Sequence, residues 1–176
     1  MTRDKAPLER FTDLDRLGQA GADVAIAVKG EDLARLAKWA KVESIEAFHA
    51  DVGLKKISQS QFKLDYTLVA DITQACVVTL EPVRSHIDRS FTRELHVASH
   101  LPMEKGGPLT LDAGDDEVPE EIASPHFDLA GPLLEEFVLA IDPYPRAEGA
   151  AFEVPPEAAD ETGNPFAVLK SLKKGS

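Results

Sequence analysis

The chain has 176 residues, of which 43% are hydrophobic, and its formal net charge is −12 at pH 7. The apolar fraction suits one folded domain with irregular extensions and argues against global disorder, while the negative charge argues against a general nucleic-acid-binding face. The single cysteine, Cys76, excludes an internal disulfide and any site built from several thiolates of one chain.

The first part of the sequence predicts an N-terminal arm followed by two strands that flank a helix. We assign the arm to residues 1–20, and the short apolar run ADVAIAV predicts a buried strand over residues 22–28. Apolar residues then recur on one helical face over residues 31–40, with acidic residues in the first turn and lysines at the end, as the helix dipole favours. We expect Trp39 at the margin of that face. Alternation from Phe48 onwards predicts a strand over residues 42–52.

Two long alternating runs form the clearest pattern in the chain. Apolar residues occupy every second position from Phe62 to Ile72, which predicts a strand over about 61–73 with one face exposed to solvent. After a turn at Leu80-Glu81-Pro82, apolar residues of a single parity predict a second strand over about 83–98. Two such runs joined by a short polar connection predict an antiparallel hairpin.

The rest of the chain predicts one further helix between two acidic, irregular segments. Proline, glycine and acidic residues predict a long loop over residues 101–125. A broad apolar face predicts a helix over 128–141, with Asp128 as its N-cap and Pro132 in the first turn. We expect an acidic flexible linker over 146–162. The predicted fold is therefore a single α+β domain over residues 21–145, in which helices 31–40 and 128–141 cover a sheet built on the hairpin.

The residue types that carry catalysis or bind metals do not form a convincing site. His86, His96 and His100 share the exposed face of the second predicted strand, but His96 and His100 would stand about 13 Å apart, too far to bind one zinc ion. Cys76 lies in an apolar, β-branched stretch, which favours a buried inert thiol over a nucleophile. The sequence also lacks a nucleophile elbow, a zinc-protease helix, a P-loop and a dinucleotide-binding motif. We therefore expect neither an enzyme nor a cofactor.

The last fourteen residues, 163–176, reverse the charge of the segment before them. Residues 101–162 hold sixteen acidic and two basic side chains, whereas the final segment holds three lysines and no acid. Its apolar residues recur at helical spacing, which predicts a docking motif. Docking on its own domain and docking on a partner are equally favoured by this pattern. The residues assigned to partner binding are Asn164, Pro165, Phe166, Leu169, Lys170, Lys173 and Lys174.

Three separated pieces of the sequence together resemble the bacterial YceD-like family of large ribosomal RNA subunit accumulation proteins. They are the turn from Cys76 to Val83 with Leu-Glu-Pro, the helix that runs from Asp128 to a Pro-x-Pro segment, and the terminal Asn-Pro-Phe-Ala-Val-Leu motif. The resemblance covers about residues 20–174. It implies a non-enzymatic role in the accumulation of large-subunit ribosomal RNA and in assembly of the large subunit. We expect a cytoplasmic location, because the sequence shows neither a secretory signal nor an apolar run long enough to span a membrane.

The resemblance also has consequences for metal and partner binding. Many relatives carry a second cysteine three positions after the first, and some carry a further pair after Pro-x-Pro, which would suggest zinc. Thr79 replaces the second cysteine and residues 143–163 contain none, so we expect no zinc and a turn held by packing around Cys76 and Pro82.

The expected partner is large-subunit ribosomal RNA or a basic ribosomal protein, with no membrane and no DNA. Contact with RNA would be confined to the terminal lysines and to the basic residues near Arg84, Arg89 and Arg93. The alternative is an acidic adaptor or holdase-like module that does not contact RNA.

Overall fold

A computed structural model of the chain describes residues 6–98 and 119–152. The described residues form a mixed α+β structure, as the sequence predicted. The elements in chain order are β1 (Phe11–Asp13), a 3₁₀ helix (Leu14–Arg16), β2 (Ala22–Val28), α1 (Glu31–Ala40), β3 (Ser44–Lys56), β4 (Gln61–Ala75), β5 (Pro82–Val97), β6 (Glu120–Ile122), β7 (His126–Asp128) and α2 (Ala130–Ala140).

A five-stranded sheet in the order β2-β3-β4-β5-β6 forms the centre of the fold. Neighbouring strands are antiparallel except β5 and β6, which are parallel. The predicted hairpin is confirmed, with Phe62 opposite Leu95 and Ala70 opposite Ile87. The strand predicted over 42–52 in fact runs to Lys56, because β3 pairs with β4 along nearly its whole length.

One face of the sheet is buried and the other is open. The even-numbered residues of β4 from Phe62 to Ile72 are almost fully buried, in agreement with the alternation of the sequence. Helices α1 and α2 pack on this face and contribute to the same core, as predicted. The ring of Phe137 in α2 meets the ring of Phe48 edge to face at 5.2 Å between centroids. The two helices are therefore anchored over the central strands.

The start of α2 differs slightly from the prediction. Asp128 is the last residue of β7 and pairs with Phe11, so the N-cap of the helix is Leu129. The Asp128 carboxylate nevertheless accepts hydrogen bonds from the amides of Ala130 (3.1 Å) and Arg10 (2.7 Å). It thus satisfies one of the free amides at the helix start, one position earlier than a standard N-cap would.

Short strands occur in two segments where the sequence predicted none. β1 lies within the predicted arm and pairs with β7, and Leu14 directly after it is 1% exposed. β6 lies near the end of the predicted acidic loop and pairs with the end of β5. Residues 101–118 of that loop, most of the predicted linker and the whole terminal motif lie outside the described residues.

Candidate interaction surfaces

The turn between β4 and β5 is held by hydrogen bonds that converge on Cys76. The Cys76 amide donates to the Glu81 carbonyl at 2.8 Å, and the Leu80 amide donates to the Cys76 carbonyl at 3.0 Å. The fully buried Sγ of Cys76 accepts from the amides of Val78 and Thr79 at 3.4 Å and from the amide of Ala147 at 3.3 Å. The turn is thus closed by protein groups, and Ala147 ties the chain after α2 to it.

These donors change the chemistry of the thiol. The Ala147 amide, followed by the hydroxyl and amide of Thr79, lowers the pKa of Cys76 to about 6, because hydrogen bonds donated to sulfur stabilise the thiolate. The prediction that Cys76 is buried is confirmed, but its apolar local sequence gave no sign of the donors that lower the pKa of the thiol. The decisive donor is 71 residues away in sequence, so local composition could not reveal it.

The three arginines proposed for RNA contact do not form one patch. Arg89 and Arg93 lie on the helix side of β5, where Arg93 pairs with Glu135 at 3.3 Å and Arg89 lies 4.0 Å from Glu136. Arg84 lies on the other side, opposite Thr73, near the Glu46 carboxylate. Two of the three charges are therefore balanced by carboxylates of α2, and the third is on the opposite face of the sheet.

The open face of the sheet carries a dense array of acidic side chains. Side chains of β3, β4 and β5 stand in cross-strand rows on this face, such as Asp51-Thr67-Ser90 and Gly53-Asp65-Thr92. Its carboxylates include Asp23, Glu46, Asp51, Asp65, Asp71, Asp88 and Glu94. The basic side chains in the same rows are Lys55, Lys63 and Arg84. Acids thus outnumber Lys and Arg on this face.

Hydrogen bonds lower the pKa of two of these carboxylates, Asp65 and Glu46. Partial burial alone would raise the pKa of Asp65, but hydrogen bonds from Thr92 (2.9 Å) and Lys55 (3.1 Å) lower it below the usual value. The Ser44 hydroxyl donates to Glu46 and, with Thr73, lowers the pKa of that carboxyl. These two carboxylates therefore remain charged at neutral pH.

Two of the described histidines, His49 and His86, lie on this acidic face without forming a metal site. His86 contacts Asp71 at 2.7 Å and His49 contacts Asp51 at 3.0 Å, and both rings are more than half exposed. Within residues 6–98 and 119–152, no group of three or more His, Cys, Asp or Glu side chains could hold a metal ion. His100 and all seven predicted partner-binding residues lie outside those ranges.

An apolar groove between α1 and α2 was not predicted. Trp39 of α1 faces Leu134, Val138 and Leu139 of α2 across it. The sequence placed Trp39 at the margin of α1 and treated α2 as burying one side. The sequence does contain an indication of this groove, because α2 has adjacent apolar residues. Its apolar surface is therefore wider than one buried face of a helix requires.

More than half of the chain matches a known protein family. A family model described as large ribosomal RNA subunit accumulation protein YceD matches residues 64–173, which is more than half of the chain. The chain belongs to the YceD family. The match includes the Cys76 turn, α2 and most of the terminal motif, so the resemblance seen in the sequence is confirmed, although it begins later than residue 20. No curated protein and no solved structure matches the chain.

The description of the YceD family indicates a role in the accumulation of large-subunit ribosomal RNA. Among the residues that the structure describes, no helix is both long and apolar enough to cross a membrane.

Proposed function

We propose that this YceD-family protein is a non-enzymatic, cytoplasmic factor that supports large-subunit ribosomal RNA accumulation by transiently binding a basic ribosomal protein during large-subunit assembly. The observation that carries this proposal is the acidic open face of β3, β4 and β5. A partner rich in lysine and arginine is complementary to such a face, and complementary charge speeds encounter and selects the partner.

The charges on the described surface favour a protein over RNA as the main partner. Phosphate binding needs clustered, unpaired cations. Arg93 and Arg89 are instead near Glu135 and Glu136, and Arg84 lies beside Glu46. Direct contact with RNA is left to the terminal lysines Lys170, Lys173 and Lys174, which could touch phosphates near a protein bound on the open face.

Exposure of the acidic side chains is consistent with transient binding. The side chains of Asp51 and Asp71 are 62% and 51% exposed. Ion pairs formed at exposed sites contribute about 0.2–1 kcal/mol each and weaken with salt. Such a face supports rapid association and release, which an assembly factor requires.

A charge-neutralised variant tests the proposal. In D51N/D71N/D88N, the loss of three pairs worth about 0.5 kcal/mol each should weaken binding to a basic large-subunit ribosomal protein about tenfold at low salt. The matched control, D15N/E31Q/E148Q, changes the net charge equally but alters the 3₁₀ helix, α1 and the segment after α2. Binding should be measured after nuclease treatment. Equal losses in both variants would refute a role for the open face.

The cellular role needs a separate measurement. Cells that lack the protein should show a reduced ratio of large to small subunits in a sucrose gradient and less mature large-subunit RNA. The D51N/D71N/D88N variant should complement poorly and its control should complement fully. Normal subunit ratios in the deletion strain would remove the ribosomal role. If nuclease abolishes co-purification of ribosomal proteins, RNA rather than protein is the direct partner.

A further inference from the structure

The groove between α1 and α2 is an apolar surface that the described residues leave uncovered. It has a volume of about 510 Å³ and is lined by Trp39, Leu134, Val138 and Leu139, with Ala6 at its rim. Leu139 is 80% exposed and Val138 is 44% exposed, and both lie in the last turn of the largely apolar helix α2. Adjacent exposed apolar side chains of this size are typical of a docking surface.

The floor of the groove has room for another segment. A Cβ atom added at Gly131 would meet no atom within 4 Å, so space is open along the first turn of α2. Trp39 is only partly buried against the core. An aromatic or leucine side chain inserted here would remove apolar surface of Trp39 and Val138 from water at the same time.

We propose that the C-terminal segment of the same chain, residues 164–173, docks in this groove. Phe166, Leu169 and Leu172 recur at the spacing of one helical face and offer large apolar side chains of the kind that fill such grooves. The N-terminal residues 1–5, which precede Ala6 at the rim, contain one apolar residue, Met1, and cannot fill it.

The chain that follows α2 is anchored near the end of α2 that lines the groove. Gln74 donates to the Asp142 carbonyl at 2.9 Å and Ala147 donates to Cys76, so residues 142–147 stay at one end of β4, next to the C-terminal end of α2. Residues 153–163 then separate Phe152 from the motif, and eleven residues can span up to about 36 Å. The motif can therefore reach Val138 and Leu139.

Charge favours one orientation of the segment. The last turn of α2 contains no basic residue, and Glu135 lines the groove. The opposite wall belongs to α1, and Arg35 and Lys38 of this helix, with Lys41 directly after it, border the adjoining cavity. Lys170, Lys173 and Lys174 of the docked segment would therefore lie towards α2, where the helix C-terminus and Glu135 attract cations.

Docking in cis would make the segment a switch for partner binding. Because the segment belongs to the same chain, its effective concentration at the groove is on the order of millimolar, so a weak intrinsic affinity is enough for substantial docking. A partner that binds the apolar residues of the segment must first displace them from Trp39. This inference does not rest on the proposed function, because the purified protein alone tests it.

Trp39 is the only tryptophan in the sequence, so its fluorescence reports on the groove directly. Truncation after Thr162 should shift its emission to longer wavelength and raise its quenching by acrylamide, because docked side chains no longer shield the ring. F166A/L169A in the full chain should reproduce both effects. S171A, which alters the polar side of the segment, should change neither. L139D, at an exposed position of the groove, should mimic the truncation.

A synthetic peptide of residues 163–176 completes the test. Added to the truncated protein, it should restore the emission of the full chain, and Phe166→Ala in the peptide should weaken this binding about tenfold or more. If truncation and F166A/L169A both leave Trp39 emission and quenching unchanged, the proposal is wrong. If the effect of the segment depends on protein concentration, the groove receives the segment of a second copy, and docking in cis is equally refuted.

Discussion

Replacement of Phe137 by alanine tests whether α2 is packed on the sheet as the structure shows. Phe137 is fully buried and makes an edge-to-face contact with Phe48 at 5.2 Å. Loss of a buried phenylalanine side chain costs about 3–5 kcal/mol, and an aromatic pair adds about 0.5–1.5 kcal/mol beyond its buried area. We therefore expect the free energy of unfolding to fall by about 4 kcal/mol, a large part of the roughly 5–15 kcal/mol typical of a domain.

Urea denaturation measures this loss. The transition can be followed by Trp39 fluorescence and by circular dichroism at the same time. With a urea dependence of about 2 kcal/mol per M, a loss of about 4 kcal/mol lowers the midpoint by about 2 M. Phe152→Ala provides a matched control, because the same substitution at a ring that is 74% exposed should change stability by no more than about 0.5 kcal/mol. Equal losses at both positions, or a loss below about 1 kcal/mol at Phe137, would refute the packing described for α2.

Three further substitutions test other parts of the structure. Gly21→Ala should destabilise the protein by about 2–3 kcal/mol, because Gly21 has a φ of +75° and an added Cβ would lie 2.5 Å from the Leu54 carbonyl oxygen; a loss below about 0.5 kcal/mol in urea denaturation would contradict this approach of the backbone. Tyr66→Phe should raise stability by about 1 kcal/mol, because the buried hydroxyl has no hydrogen-bond partner among the described residues; a clear loss would reveal a partner. Cys76→Ser should remove a pH dependence. Since folding lowers the thiol pKa to about 6, the wild type should gain stability over the variant as pH rises from 6 to 9 and lose this advantage as pH falls through 6. A difference in melting temperature that is constant with pH would contradict the stabilised thiolate.

The long elements were predictable because each carries its own repeat. Alternation from Phe62 to Ile72 placed β4 and identified its buried face, and the apolar spacing of residues 31–40 gave the bounds of α1. Pairing and helix formation there follow from local periodicity and from the need to bury one face. The family resemblance also depended on local sequence, namely the Cys76 turn and the terminal motif, and the match over residues 64–173 confirms it.

The short strands could not be predicted, because three residues are too few for a period. β1, β6 and β7 form because each pairs with a strand that is distant in sequence, and the Asp128 carboxylate of β7 also accepts a hydrogen bond from the Arg10 amide just before β1. The local sequence of β1 is equally consistent with an irregular arm, and that of β6 with a loop. In such segments tertiary contacts decide the conformation, and local propensity is a weak guide.

The sequence by itself determined the α+β class, the central hairpin, the two helices and the YceD family, because those depend on patterns that are continuous along the chain. Only the tertiary structure decided the charge and chemistry of the surfaces. Arg89 and Arg93 are close in sequence to Arg84 but point to the opposite side of the sheet, towards glutamates of α2. Cys76 acquires its low pKa from Ala147, and Trp39 acquires an apolar groove from α2. The physical reason is that electrostatics and exposure depend on distances between side chains, and folding alone sets those distances for residues far apart in the chain.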